Sequence, residues 1–227
     1  MSGPPVVLLH GFATSARRTW REPGWIDLLT DAGRQVIAPD LPAHGDARKD
    51  HDPEAYQDVE GEVLASLPDE PVDAIGYSMG ARILLTLAAT HPDRFHRLVV
   101  GGVGARLFEP RDPSDTILNA VRGSYAEDDL VARHFYELAR EPGNDPEALA
   151  AFLQRTVEPL SRETLAGVSC PVLVVIGSED FAGPGDPLAD ALADARLVTL
   201  PGVDHHGLPK NFAFLDRALE FLDARPF

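Results

Sequence analysis

Val72-Asp73-Ala74-Ile75-Gly76-Tyr77-Ser78-Met79-Gly80-Ala81, followed by an unbroken helical pattern to Thr90, decides the reading of this chain. The mostly apolar run Val72–Ile75 has the length of a buried strand. Gly76-Tyr77-Ser78-Met79-Gly80 then fits G-x-S-x-G, and helix-forming residues follow at once. A serine on a sharp turn between strand and helix has a strained backbone, and bulky side chains at the two glycine positions would collide there. The turn lifts the hydroxyl above the sheet edge, beside the positive end of the next helix, where negative charge is favoured. Ser78 is therefore the candidate nucleophile.

Similar short runs rich in Val and Ile lie at Val6–Leu9, Val36–Ala38, Leu98–Val100, Val172–Ile176 and Leu197–Leu200. Helical patterns separate them at Trp25–Ala32, Glu54–Leu67, Met79–Thr90, Pro187–Ala193 and Pro209–Leu222. The last sets Phe212, Leu215, Leu219 and Leu222 on one apolar face, with Asp216, Arg217 and Glu220 outside it. Strand and helix in alternation predict an α/β fold with a doubly wound, mainly parallel sheet. The rhythm breaks between about Arg106 and Gly167, where only helical patterns occur: Ser114–Arg122, Glu127–Arg140 and Pro146–Glu158. Ser114 or Asp115 can cap the first and Asp145 the last. The expected organisation is a core over residues 1–105 and 168–227, with 106–167 inserted as a small helical lid. Plain packing helices are the alternative.

The 227 residues suit one domain, and 44% hydrophobic content gives a large core without a disulfide or metal staple. Thirty-six acidic against 20 basic residues, a net charge of −16, argue against nucleic acid and against anionic membranes. A neutral small-molecule substrate suits that field; an anionic one needs a local arginine cluster. The single cysteine, Cys170, forbids an intrachain disulfide and reads as an inert buried thiol beside Pro171. The first dozen residues carry no basic segment or long apolar run, and no stretch approaches the roughly 20 apolar residues of a membrane helix. A soluble, cytoplasmic protein is expected. No histidine pair has metal-ligand spacing, so neither a metal nor another cofactor is expected.

Several motifs in order give the chain a resemblance to the α/β-hydrolase superfamily over nearly its whole length. His10-Gly11-Phe12 ends the first strand as the family's oxyanion loop does. Asp40-Leu41-Pro42-Ala43-His44-Gly45 is similar to the family's D-x-P-G-H-G, with Ala43 where glycine is usual. Cys170-Pro171 opens a strand that runs to Gly177-Ser178-Glu179-Asp180, where the family commonly carries its acid, and Leu200-Pro201-Gly202-Val203-Asp204-His205 completes the set. The family's sheet usually starts with an antiparallel hairpin. Only five residues precede Val6, so a sheet of about six strands lacking that hairpin is expected.

A serine hydroxyl needs a base to become nucleophilic at neutral pH. The resemblance implies the chain order nucleophile, acid, base, which here is Ser78, Asp180, His205. Asp180 would orient the imidazole and stabilise the imidazolium without taking the proton. Glu179 and Asp204 are rival carboxylates, and His206 is a rival base. Oxyanion stabilisation is implied from the backbone N–H groups of Phe12 and Met79. His10 and His44 are expected to bond backbone near the site, His91 to end a helix, and His51, His96 and His134 to face solvent.

A serine nucleophile sets aside the aspartate-dependent dehalogenase and epoxide hydrolase branches. The expectation is a serine esterase-like enzyme that cleaves an ester, thioester or lactone through an acyl-enzyme. His10, Tyr77, Phe108, Tyr125, Phe135, Tyr136 and His206 are the candidate pocket residues. Phe152 is a further aromatic, and such rings can equally hold lid helices on the core. One rival function is a C–C hydrolase or lyase on an anionic substrate, like the family's menaquinone-pathway member. It requires Arg82, Arg106, Arg111, Arg122 and Arg133 to converge. The other rival is a non-catalytic ligand receptor on the same fold.

Overall fold

All four residues of Val6–Leu9 (β1) are buried, as in a strand covered by helices on both faces. The computed structural model describes residues 3–109, 116–157 and 160–225. Within them β1 joins Val36–Ile37 (β2), Val72–Tyr77 (β3), Phe95–Gly101 (β4), Val172–Gly177 (β5) and Ala195–Leu200 (β6). The sheet order is β2-β1-β3-β4-β5-β6, and every pairing is parallel. The sheet has the six strands expected, and no antiparallel pairing occurs among the described residues.

Alternate side chains of each strand enter different cores. Val6 and Leu8 pack with Trp20, Trp25 and Leu29, and with Phe214, Leu215 and Ala218. Two helices, Trp25–Asp31 (α1) and Phe212–Phe221 (α9), cover that face. A buried hydrogen bond from Trp25 Nε1 to the Pro209 carbonyl, 2.8 Å, holds the two ends of the chain together there. Val7 and Leu9 enter the opposite core beneath Val59–Ser66 (α2) and Met79–Thr90 (α3). Between β4 and β5 the chain forms Thr116–Val121 (α4), Leu130–Ala139 (α5), Pro146–Leu153 (α6) and Arg162–Leu165 (α7). One turn of helix, Asp186–Ala189 (α8), precedes β6.

This topology places the site. Leu9 pairs with Gly76, so the carboxyl ends of β1 and β3 stand side by side. The chain builds outward to β2 on one side and to β4 on the other, so strand order reverses between β1 and β3. Loops diverging at such a switch point leave a crevice beyond the strand ends.

Element boundaries depart from expectation where side chains compete with the helix backbone. The pattern Glu54–Leu67 splits into a 3-10 turn, Pro53–Tyr56, and α2, because Asp58 accepts from Gly61 N–H and caps a new helix. Pro209–Leu222 likewise begins with a separate turn, and Asn211 caps α9. Phe212, expected on the buried face, is 84% exposed. Phe214 and Ala218 join that face and shift its centre, which leaves Phe212 at its margin on the first residue of the helix. Asp145 caps α6 by accepting from Glu147 and Ala148 N–H. Ser114, Asp115 and Glu158 lie outside the described residues. Among those described, no helix is long and apolar enough to cross a membrane.

At the amino ends of the strands sits a buried ion pair. Arg34 meets Asp73 of β3 and donates to the Pro4 and Leu222 carbonyls, each at 2.9 Å. His96 faces solvent as expected, with about half its side chain exposed, and also reaches Asp73 Oδ1 through Nδ1 at 2.8 Å. Asp73→Ala leaves Arg34 buried and unpaired, so urea unfolding should show a loss of about 3 to 5 kcal/mol. The double replacement R34M/D73L should be less damaging than Asp73→Ala, since it removes both charges.

His10 and His44 are fully buried, and burial is the main cause that lowers both pKa values, that of His44 well below normal. The unfolded chain therefore binds protons below pH about 6.5 that the folded chain refuses, and stability falls as pH drops from there. His44→Gln should flatten the slope between pH 6.5 and 5 by up to about 1.4 kcal/mol per pH unit, read from urea midpoints.

Candidate active site

β3 delivers Ser78 at φ 52° and ψ −111°, a left-handed backbone for a non-glycine residue, and α3 starts at the next position. The neighbours show why the turn is spelled with glycines. A Cβ at Gly76 would stand 2.5 Å from Ala81 Cα, and one at Gly80 would press into the Leu9 carbonyl. Ser78 N–H donates to the Gly101 carbonyl of β4 at 2.8 Å, which fixes the turn from the other side. Ser78 itself is half-buried.

Asp180 and His205 come from the loops after β5 and β6 and are 8% and 4% exposed. A carboxylate only accepts, so His205 Nδ1–H donates to Asp180 Oδ1, at 2.8 Å. In the neutral ring Nε2 then carries the lone pair, and it accepts the Ser78 hydroxyl proton at 3.0 Å. Asp180 Oδ1 also accepts from Ala182 N–H at 2.8 Å; Oδ2 is buried without a protein partner among the described residues. The rivals lie elsewhere. Glu179 is exposed, Asp204 accepts from Gly207 N–H, and His206 turns to the ring of His134, 3.5 Å between centroids. Burial, with the imidazoles of His134 and His205, holds His206 down at about 4, so it is neutral at pH 7. His134, expected in solvent, is half-buried in that stack, and burial lowers its pKa as well.

Tyr77, a candidate pocket residue, is buried beside the catalytic histidine candidate. Its buried hydroxyl donates to the His205 carbonyl at 2.8 Å, and its ring lies 5.1 Å from the imidazole. Burial is the main cause that raises the phenol pKa, so Tyr77 stays a donor.

The Cβ position of Gly11 lies 3.5 Å from Ser78 Cβ, which puts the His10-Gly11-Phe12 loop against the nucleophile. Phe12 and Met79 thus flank Ser78 from β1 and α3. His10 sits beneath this loop: Nδ1 donates to the Gly11 carbonyl at 2.8 Å and Nε2 accepts from Leu41 N–H at 3.0 Å. His44 Nδ1 donates to the Pro42 carbonyl at 2.8 Å.

Of the expected wall, Phe135 and His206 reach the site. Phe135 packs 6.0 Å from Phe12 and 6.3 Å from His206. Phe181, which sequence reasoning passed over, lies 4.2 Å from His205, and its place beside Asp180 was the available signal. Phe152 is fully buried under the Arg155 guanidinium and serves as core. Tyr125 and Tyr136 stack on each other, with Arg140 over Tyr136. Phe108 lines a separate surface cavity of about 520 Å³ with Leu160, Arg162 and Pro187. Arg106 and Arg133 are exposed and pair with Glu109 and Glu137. Arg122 is exposed, Arg82 is half-buried on α3, and Arg111 lies outside the described residues. Cys170 is buried, its thiol pushed up to about 11 mainly by burial. Among the described residues no cluster of three or more His, Cys, Asp or Glu could hold a metal.

The chain is similar to known proteins over most of its length. The chain is 31% identical to a pimeloyl-[acyl-carrier protein] methyl ester esterase of Neisseria meningitidis, over 88% of this chain and 86% of that protein. It is also 31% identical to the 2-hydroxymuconate semialdehyde hydrolase of a Pseudomonas species, over 86% and 78%. Its fold matches the enol-lactonase from Burkholderia xenovorans with a TM-score of 0.72, at 23% identity over 98% and 92% of the two chains. Residues 4–126 match the family described as alpha/beta hydrolase fold, and the chain belongs to that family.

Proposed function

We propose that this α/β hydrolase cleaves an ester, thioester or lactone bond of a small, largely apolar substrate through an acyl-enzyme on Ser78. The observation that carries the reading is the hydrogen-bonded line Ser78–His205–Asp180 at a half-buried serine. In the first step Ser78 Oγ attacks the substrate carbonyl while His205 Nε2 takes its proton. His205 then returns that proton to the leaving alcohol or thiol. A water, deprotonated by the same nitrogen, splits the acyl-enzyme and restores the serine. Asp180 holds the imidazole in its Nδ1–H tautomer and stabilises the cation formed in both steps. The oxyanion falls to the N–H groups of Phe12 and Met79, where losing one donor typically costs about 2.7 to 4 kcal/mol. Residues 106–167 act as the lid, with Phe135 and His134 as its inward rings.

The esterase relatives support the ester preference, and the neutral rings of Phe12, Phe135, Phe181 and His206 suit an uncharged acyl group. An anionic substrate is disfavoured, because Arg106 and Arg133 spend their charge on surface carboxylates and the chain carries −16 overall.

A fluorophosphonate should label Ser78, and chromogenic acetate or butyrate esters should turn over. Ser78→Ala and His205→Ala should each lower kcat by about 10⁴-fold or more, and Asp180→Asn by a similar factor. His206→Phe should keep kcat within about tenfold, since neither the nucleophile nor the acid bonds His206. A chain that neither labels nor hydrolyses any acyl ester would sink the proposal; loss of activity in H206F with retention in H205A would move the base by one position.

A further inference from the structure

The helical insertion grips the loop that carries Phe12. Asn144, between α5 and α6, donates through Nδ2 to the Ala13 carbonyl and to the Leu138 carbonyl at the end of α5, both at 2.8 Å. Beside it Arg18 donates to the Pro142 carbonyl at 3.2 Å and pairs with Glu141. From the same insertion the rings of Phe135 and Phe152 pack on Phe12, at 6.0 and 6.3 Å.

Ala13 is the residue that needs such a hold. It is fully buried and sits at φ 56°, a left-handed conformation that an L side chain adopts at a cost. The core fixes the loop on either side. Leu41 N–H donates to His10 Nε2 at 3.0 Å before the turn, and Ala16 N–H donates to Asp40 Oδ1 at 2.7 Å after it. With both flanks pinned, relaxation of φ at Ala13 must rotate the peptide units between them, and Phe12 belongs to that stretch.

We infer that Asn144 is a positioning residue: its amide, by holding the Ala13 carbonyl, keeps the Phe12 N–H aimed at the oxygen that gains charge on acylation of Ser78. The inference rests on the serine-hydrolase reading above. It makes the oxyanion site complete only while the 141–144 segment is seated on the 13–18 segment. Substrate-dependent seating of the insertion would then set the catalytic step as well as access.

Asn144→Asp tests this with little change of shape, because a carboxylate cannot donate to either carbonyl. Asn144→Ala is the second variant, and thermal melts confirm that each is folded. On a butyrate ester kcat should fall about 10- to 100-fold with KM within about threefold, as misplacement of an oxyanion donor predicts. Binding of a trifluoromethyl ketone, which mimics the tetrahedral adduct, should weaken by the same factor as kcat/KM. A residue that merely supports the fold would lower the melting temperature without that parallel. Amide hydrogen exchange over residues 11–16 should also quicken while residues 76–80 keep their protection. Unchanged exchange over 11–16 in both variants, or wild-type kcat in Asn144→Asp, overturns the inference. Quickened exchange in a chain that turns over no ester supports the coupling and overturns the hydrolase reading instead.

Discussion

The carbonyl of Leu9 resting against Gly80 is the contact on which the rest of this molecule depends. It requires β1 and β3 to be neighbours, forces a residue without a side chain at position 80, and holds the intervening serine at φ 52°. A non-glycine residue in such a backbone costs about 1 to 3 kcal/mol and persists only where its surroundings over-determine it. Here the surroundings are three parallel strands: β3 carries the turn, β1 blocks it from one side and the Gly101 carbonyl of β4 anchors it from the other. The hydroxyl projects at the switch point, where it meets His205 Nε2.

Around that fixed point the remaining groups are held by hydrogen bonds between loops. Tyr77 follows the strand, so its hydroxyl ties the His205 loop to the sheet that carries Ser78. Asp180 is tied through Ala182 N–H and His205 Nδ1, and neighbouring imidazoles are kept neutral by burial. In a chain of net charge −16, the rings of Tyr77, Phe181 and His206 surround the His205–Asp180 pair beside Ser78. That arrangement suits chemistry in which an imidazolium appears transiently and its counter-charge is already in place.

Much of the fold was legible from the residues. All six strands were recognisable as short apolar runs; β1, β3 and β5 are buried throughout, the edge strands β2 and β6 only partly, and β1 keeps its expected ends. Two helices broke where Asp58 and Asn211 cap new starts, which a period of apolar residues does not register. The resemblance brought Ser78, Asp180 and His205 to attention by their order, since each follows a strand. Ala43, which stands where the family has glycine, occupies φ 71°, so the departure kept the backbone and placed an L residue in a left-handed turn. For the aromatic residues the sequence left wall and packing roles equally open. Phe152 is buried against Phe12, Tyr125 lies against Tyr136 and Phe181 lies against His205, because ring type does not record which way a side chain faces.

The alternation of strand and helix, the serine turn and the set of candidate groups are written in the residues, since these rest on local pattern and near-neighbour sterics. Tertiary structure decided which groups meet. His205 over His206, Tyr77 as a brace, and Asn144 on Ala13 depend on loops from distant parts of the chain converging at one sheet edge. Ala13 and Asn144, 131 positions apart in the chain, are joined by hydrogen-bond geometry, which no local periodicity encodes.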